Sequence, residues 1–305
     1  MKIDTLFGSA LGALALGLLT LGVATSPALS QDKPTFRLCT GNASLNYYKA
    51  GHILRSKSTQ TNVDVVETAG SIDNLDKIVD GQCDGGFVQS DALLVYSAKN
   101  AKAISSIERA GALYKEQAHL LCNRDAGVDR IVDVNSNKFT IAVGPQGSGA
   151  NTTWEAFVLA DRDRYGPVLT DTRSGLRALA AVADGSQVQC ALFIAALNSP
   201  FIKNDAGSLG DKIVLAGTDD GDMGAVAKDS RGSAVYTYDK IPAGTYPNIQ
   251  PSGSLYGTKE VGTIAVDALF VVSTNWINAN ERSYDAVLRA FSSAKPSIQE
   301  IVGAR

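Results

Sequence analysis

A chain of 305 residues is about two average domains long, and its 28 Lys+Arg against 31 Asp+Glu leave a formal charge of −3. That balance, with no basic run, excludes a phosphate-tracking nucleic-acid surface, while 45% hydrophobic and 19% charged residues exclude wholesale disorder and supply a proper core. Two His and four Cys, with no C-x-x-C spacing, leave little from which to build a metal site or a histidine triad, so no catalytic residue, metal or cofactor is expected.

In chain order, Leu6 to Ala24 is a nearly unbroken apolar and small-residue run behind Lys2, closed by Ser26, Pro27, Ala28, Leu29 and Ser30. Ala28 and Ser30 are the small residues that a signal peptidase reads before a cut at Gln31, so residues 1–30 are expected to be a secretory signal peptide and the mature chain periplasmic. An N-terminal membrane anchor is the other reading, since the run approaches the roughly 20 residues that span a bilayer.

Phe36 to Thr40 reads as a short apolar strand running into Gly41 and a polar loop, and Phe139 to Val143 does the same into Gly144. Val63 to Thr68 is a second strand, matched by Pro167 to Asp171. Ser71 then opens a helical pattern (Ile72, Leu75, Ile78, Val79) that stops at Asp80-Gly81; Ser174 opens its counterpart (Leu176, Leu179, Val182, Ala183), which stops at Asp184-Gly185. Further buried strands follow, Gly85 to Gln89 and Val188 to Ile194. The two series keep one nearly constant spacing, so two βαβαβ units lie in tandem, each predicting a mostly parallel sheet covered by helices on both faces. Gly111 to Asn123, extended with a polar middle, and the long β-rich Gly262 to Ser273 read as two crossings between lobes, a two-stranded hinge, after which Tyr284, Val287, Leu288 and Phe291 mark an amphipathic final helix.

Ligands of open α/β sheets bind beyond the carboxyl ends of the strands, where loops lead into helix N-termini. Those edges hold Gly41, Asn42 and Ser44, then Gly70, Ser71 and Asn74, then Gln89, Ser90 and Asp91, and finally Gly144, Gly147, Ser148, Gly149 and Thr152. Small residues there admit a close backbone approach, and unpaired N–H groups favour an anion such as a carboxylate. Each residue also has a structural reading as a helix cap or an ordinary turn. Tyr47 and Tyr48 open the first helix, where either stacks over a solute or packs against the sheet. The glycine-rich Gly144 to Gly149 is not a phosphate loop, because no Lys-Ser/Thr pair follows its last glycine. Arg173 occupies the position in the second unit that Gly70 holds in the first, and is either a carboxylate clamp beside the cleft or a solvated surface arginine. Asp219, Asp220 and Asp222 lack calcium-loop spacing and read as a solvated turn.

The runs TGNASLNYYKAG, ETAGSIDNLDKIVDGQCDGGFVQSD, IAVGPQGSGANTTWEAF and IPAGTYPN, the last followed by GTIAVDALFVVS, resemble in order the solute-binding proteins of the TAXI class of TRAP transporters, across nearly all of residues 36–291. The resemblance implies a two-lobed type II periplasmic binding protein fold of α/β class, working as a monomer that closes over a small anionic solute, glutamate-like or a dicarboxylate, and delivers it to membrane permease subunits. It also brings Tyr246, in IPAGTYPN, to the candidate cleft. The implied division is residues 31–116 with 265–305 as lobe 1 and 117–264 as lobe 2. The usual strand order of this fold makes Cys39–Cys83 and Cys122–Cys190 the expected disulfides. A receptor-type binding protein that reports to a sensor, and an enzyme resembling the thiamine-precursor synthases, are the alternatives; the latter needs an active-site histidine.

Overall fold

The computed structural model describes residues 33–304 except 44–45, 227, 229–231, 233 and 254–256. The expected signal peptide and Ser44 therefore lie outside the described residues. The first βαβαβ unit consists of β1 (Thr35–Cys39), α1 (Asn46–Lys57), β2 (Asn62–Val66), α2 (Ser71–Val79) and β3 (Gly85–Gln89), followed by α3 (Ser90–Lys99). The second consists of β5 (Thr140–Ala142), α4 (Gly149–Ala160), α5 (Arg162–Tyr165), β6 (Leu169–Asp171), α6 (Gly175–Asp184) and β7 (Cys190–Ala195). Between them runs β4 (Ile107–Asn123); after them come β8 (Ile213–Ala216), α7 (Gly221–Val226), β9 (Thr237–Ile241), β10 (Val261–Ser273), α8 (Thr274–Ala279) and α9 (Glu281–Val302).

These strands form one ten-stranded mixed sheet whose main path is β2-β1-β3-β10-β4-β7-β5-β6, with β8 paired to β4 and β9 to β10. The three strands of each unit are parallel and share one order, the middle strand of the sheet path being the first of its unit. The long strands β4 and β10 separate the two units and pair antiparallel with each other over most of their length. Both expected crossings are thus neighbouring strands at the centre of the sheet. β4 starts earlier than its sequence suggests, because Ile107 to Arg109 find partners on β10 after two register shifts.

Alternation of side chains along the strands gives each half of the sheet two buried faces. In the first half, Phe36, Leu38 and Phe87 pack against α1 and α9, while Cys39, Val88 and Val271 pack on the other face with Leu75 and Ile78 of α2. In the second half, Leu120, Ile141 and Leu192 meet Trp154 and Phe157 of α4, and Leu121, Ala142 and Ala191 meet Leu179 and Val182 of α6. Cys39 joins Cys83 and Cys122 joins Cys190, one bridge per half. The result is the α/β periplasmic binding protein fold, a mixed sheet flanked by helices.

Of two serines expected as helix N-caps, one is corrected and one stands. Ser71 is not an N-cap but the first helical residue behind Gly70, and its hydroxyl accepts from the Gln89 amide at 3.1 Å, drawing α2 onto the end of β3. Ser174 does stand at the N-cap of α6, without a side-chain capping bond. The stop at Gly185 follows expectation: at φ 73° it takes the left-handed conformation that closes a helix at least cost to glycine.

Candidate functional site

The loops leaving the two units meet directly. A side-chain carbon at Gly70, whose φ is +134°, would stand 3.0 Å from the Gly147 carbonyl oxygen, and one at Gly149 would stand 2.7 Å from Oε1 of Gln89. Glycine at these positions lets backbone from one half approach the other, as the small-residue loops suggested. The first turn of α2, which starts behind Gly70, carries no side-chain cap, so its leading N–H groups are unclaimed by any capping side chain.

Beneath that contact lies a buried polar cluster. Gln89 ends β3 and is 3% exposed, Asp91 in the first turn of α3 is 0% exposed, and Glu116 in the middle of β4 is 6% exposed. Tyr47 donates its hydroxyl to Oε2 of Glu116 at 3.1 Å, and Nε2 of Gln89 donates to the same oxygen at 3.4 Å. Thr153 of α4 and Tyr236 donate to Oδ2 of Asp91 at 2.6 and 2.8 Å, so that one carboxylate oxygen of the first half is held from the second. Oε1 of Gln89 and Oδ1 of Asp91 are buried with no hydrogen-bond partner. Among the described residues neither carboxylate is ion-paired to a Lys or Arg. Burial pushes the Asp91 carboxyl up to about 6 against the Thr153 and Tyr236 hydrogen bonds, and pushes Glu116 up to about 7, with the Asp91 charge adding to the effect. Tyr114, two residues before Glu116, is a phenol that burial and the Glu116 charge drive well above the ordinary range.

Of the residues expected at the cleft, Gly70, Ser71, Gln89, Asp91, Gly147, Gly149 and Tyr47 are brought to this meeting line. Gly41 is buried beside Tyr47 at the end of β1, Asn42 is exposed, and Tyr48 turns its ring onto His52 within α1. Ser90 accepts from the Asp267 amide of β10 at 3.1 Å. Asn74 is fully engaged inside the first half: it donates to the Thr40 and Phe87 carbonyls at 2.7 Å each and accepts from Thr68 at 2.5 Å. The Gly144 to Gly149 loop closes largely on itself. The Gly147 N–H donates to Asn151 at 2.9 Å, the Ser148 N–H to the Pro145 carbonyl at 3.0 Å, and Thr152 donates its hydroxyl to the Ser148 carbonyl at 2.9 Å. Ser148 caps α4 by accepting from the Asn151 amide, behind a Gly144 at φ +79°. Arg173 lies in a local turn, its guanidinium doubly bonded to Asp171 at 2.8 Å. Tyr246 is buried in the second half, where its hydroxyl contacts His119 at 2.9 Å and donates to the Leu197 carbonyl at 3.2 Å.

Glu116, Thr153 and Tyr236 were not singled out by sequence. The polar middle of β4 was the visible signal for Glu116; Thr153 differs from the expected Thr152 by one step around the helix; Tyr236 carried no local signal. Among the described residues no group of three or more His, Cys, Asp or Glu could hold a metal ion, and no helix is long and apolar enough to cross a membrane.

A solved structure from Bordetella bronchiseptica RB50 resembles this one at a TM-score of 0.53 and 15% identity, covering 88% of this chain and 76% of that chain. The periplasmic aliphatic sulphonate binding protein SsuA from Escherichia coli matches at a TM-score of 0.49 and 13% identity, over 89% of this chain and 80% of that one. Lactococcal OpuAC, complexed with glycine betaine, matches at 0.47 and 12% identity, over 89% and 91%. In sequence, residues 38–302 match the NMT1-like family across nearly the whole described chain, and the protein belongs to that family.

Proposed function

We propose that this protein is the exported solute-binding component of a membrane transporter, closing two lobes over a small solute at the line where Gly70 meets Gly147. The observation that carries the reading is the pair of topologically matched units whose strand-end loops touch above a buried, incompletely satisfied polar cluster. The antiparallel pairing of the two long strands β4 and β10 supports reading them as a hinge between one lobe of residues 31–116 with 265–305 and another of residues 117–264.

The TAXI-like motifs assign the transporter to the TRAP class and the solute to amino acids or dicarboxylates, with permease subunits as partner and the periplasm as location. The uncapped first turn of α2 is the place for a solute carboxylate. No catalytic role is assigned: His119 is held by Tyr246, and burial pushes its imidazole down to about 4, while His52 packs on Tyr48. Protein purified without unfolding should release one small solute per chain on denaturation, identified by mass spectrometry. A protein that releases none, and whose melting temperature answers to no amino acid or dicarboxylate at millimolar concentration, would refute the assignment.

A further inference from the structure

Gln89, Asp91 and Glu116 present acceptors, and the side chains around them spend most of their donors, the buried Tyr114 hydroxyl beside Glu116 being one without a hydrogen-bond partner. Tyr47 and the Gln89 amide donate to Glu116, and Thr153 and Tyr236 donate to Asp91. Two acceptors, Oε1 of Gln89 and Oδ1 of Asp91, are left over in a region closed from water. Buried polar atoms without partners are costly and rare in folded proteins, and two buried carboxylates without a cation are costlier still. The missing complement is a group that brings several N–H donors and a positive charge together.

None of the described residues supplies it. The described titratable groups facing the pair are Tyr47 of α1, Tyr114 of β4, Tyr236, and the two acids themselves; none carries positive charge. A metal ion is disfavoured by the absence, among the described residues, of a third acid, His or Cys positioned to bind one. A second carboxylate from a solute would add a like charge to the two acids already there. The loop expected to cradle an anion, meanwhile, has given its Gly147 and Ser148 N–H groups to Asn151 and Pro145.

We propose that the solute carries a protonated amine and that this amine docks on Gln89, Asp91 and Glu116, so that the cleft selects an amino acid over the corresponding dicarboxylate or simple carboxylate. The inference rests on the solute-binding reading and names the chemical class that reading leaves open. An ammonium group has three donors and no acceptor, which suits the unfilled Gln89 and Asp91 oxygens. Its charge offsets the burial of the two acids, and its arrival expels whatever proton they hold: the carboxylic O–H bond breaks, the proton leaves to solvent, and the carboxylate remains paired with the ammonium.

The test is calorimetric titration of the whole mature protein with pairs that differ only in the amine, L-glutamate against glutarate and L-alanine against propionate. Wild type, Asp91→Asn and Glu116→Gln are compared, and their ligand-free melting is recorded alongside. The amine-bearing member of a pair should bind at least tenfold tighter than its partner. Each neutral substitution should weaken it by tenfold or more without lowering the ligand-free melting temperature, which a purely structural role for the acids would lower. A desamino carboxylate that binds as tightly, or amine binding indifferent to both substitutions, overturns the inference and leaves a solute-binding protein standing. Binding of neither member, together with no solute released from the purified protein, overturns the solute-binding reading and this inference with it.

Discussion

Four buried acids divide into two kinds. Asp84 accepts from the backbone and guanidinium of Arg37, the closest contact being 2.6 Å, and Asp220 accepts from Arg164 at 3.1 Å and from the Tyr165 hydroxyl. Asp91 and Glu116 are as deeply buried and receive only hydroxyl and amide donors. The first two tie elements within one half: Asp84 fastens the start of β3 to β1, and Asp220 fastens the entry of α7 to α5. Asp91 lies where the halves meet, and Glu116 is joined to that line through Gln89. On the proposed reading, an acid that holds the fold together is found with its cation, whereas one that waits for a ligand is found without it.

That contrast breaks first under substitution. Asp220→Ala strands Arg164 and the Tyr165 hydroxyl and should cost about 3 kcal/mol in urea unfolding, while Asp91→Asn and Glu116→Gln should leave the ligand-free protein no less stable. Equal losses at both kinds of site would erase the distinction. The next effect is on pH dependence. Asp91 at about 6 and Glu116 at about 7 are raised from ordinary values of 3.8 and 4.5, so their contribution to stability is present at low pH and is lost as pH rises through 6 and 7. His119, lowered from 6.5 to about 4, acts oppositely, its contribution being present above 6.5 and lost as pH falls through 4. Two acids outweigh one imidazole, so ligand-free stability should fall by on the order of 2 kcal/mol from pH 5 to 8. The double variant Asp91→Asn, Glu116→Gln should reverse that slope, as thermal melts across the range would show.

Smaller effects sharpen the place of closure. Gly70→Val adds a branched side chain at positive φ against the Gly147 carbonyl, and should weaken solute binding about tenfold, or about 1.4 kcal/mol, with a larger radius of gyration in the presence of solute. Arg173→Ala should change affinity less than twofold, since its guanidinium is committed to Asp171.

The sheet was legible because its signals are local. Strand–loop–helix periodicity and the Asp-Gly stops located both βαβαβ units to within two or three residues, and the strand order implied by the family resemblance then placed the cysteines as pairs. The polar cluster was legible only in part. Gln89 and Asp91 lie at a strand end, where ligands of this architecture gather, and were visible for that reason. Glu116 is buried because β10, Tyr47 and Gln89 converge on β4 from distant parts of the chain, and Tyr236 reaches Asp91 across 145 positions. Asn74 shows the converse: a polar residue at the right edge whose capacity is spent holding Thr40, Thr68 and Phe87 together.

The most direct measurement is the dissociation constant of the captured solute between pH 5 and 8. If its ammonium rests on Asp91 and Glu116, binding tightens as pH rises and the two acids lose their protons, and the pH dependence disappears in the double variant. Binding that weakens with rising pH, as for an anion repelled by the same two acids, would contradict the account.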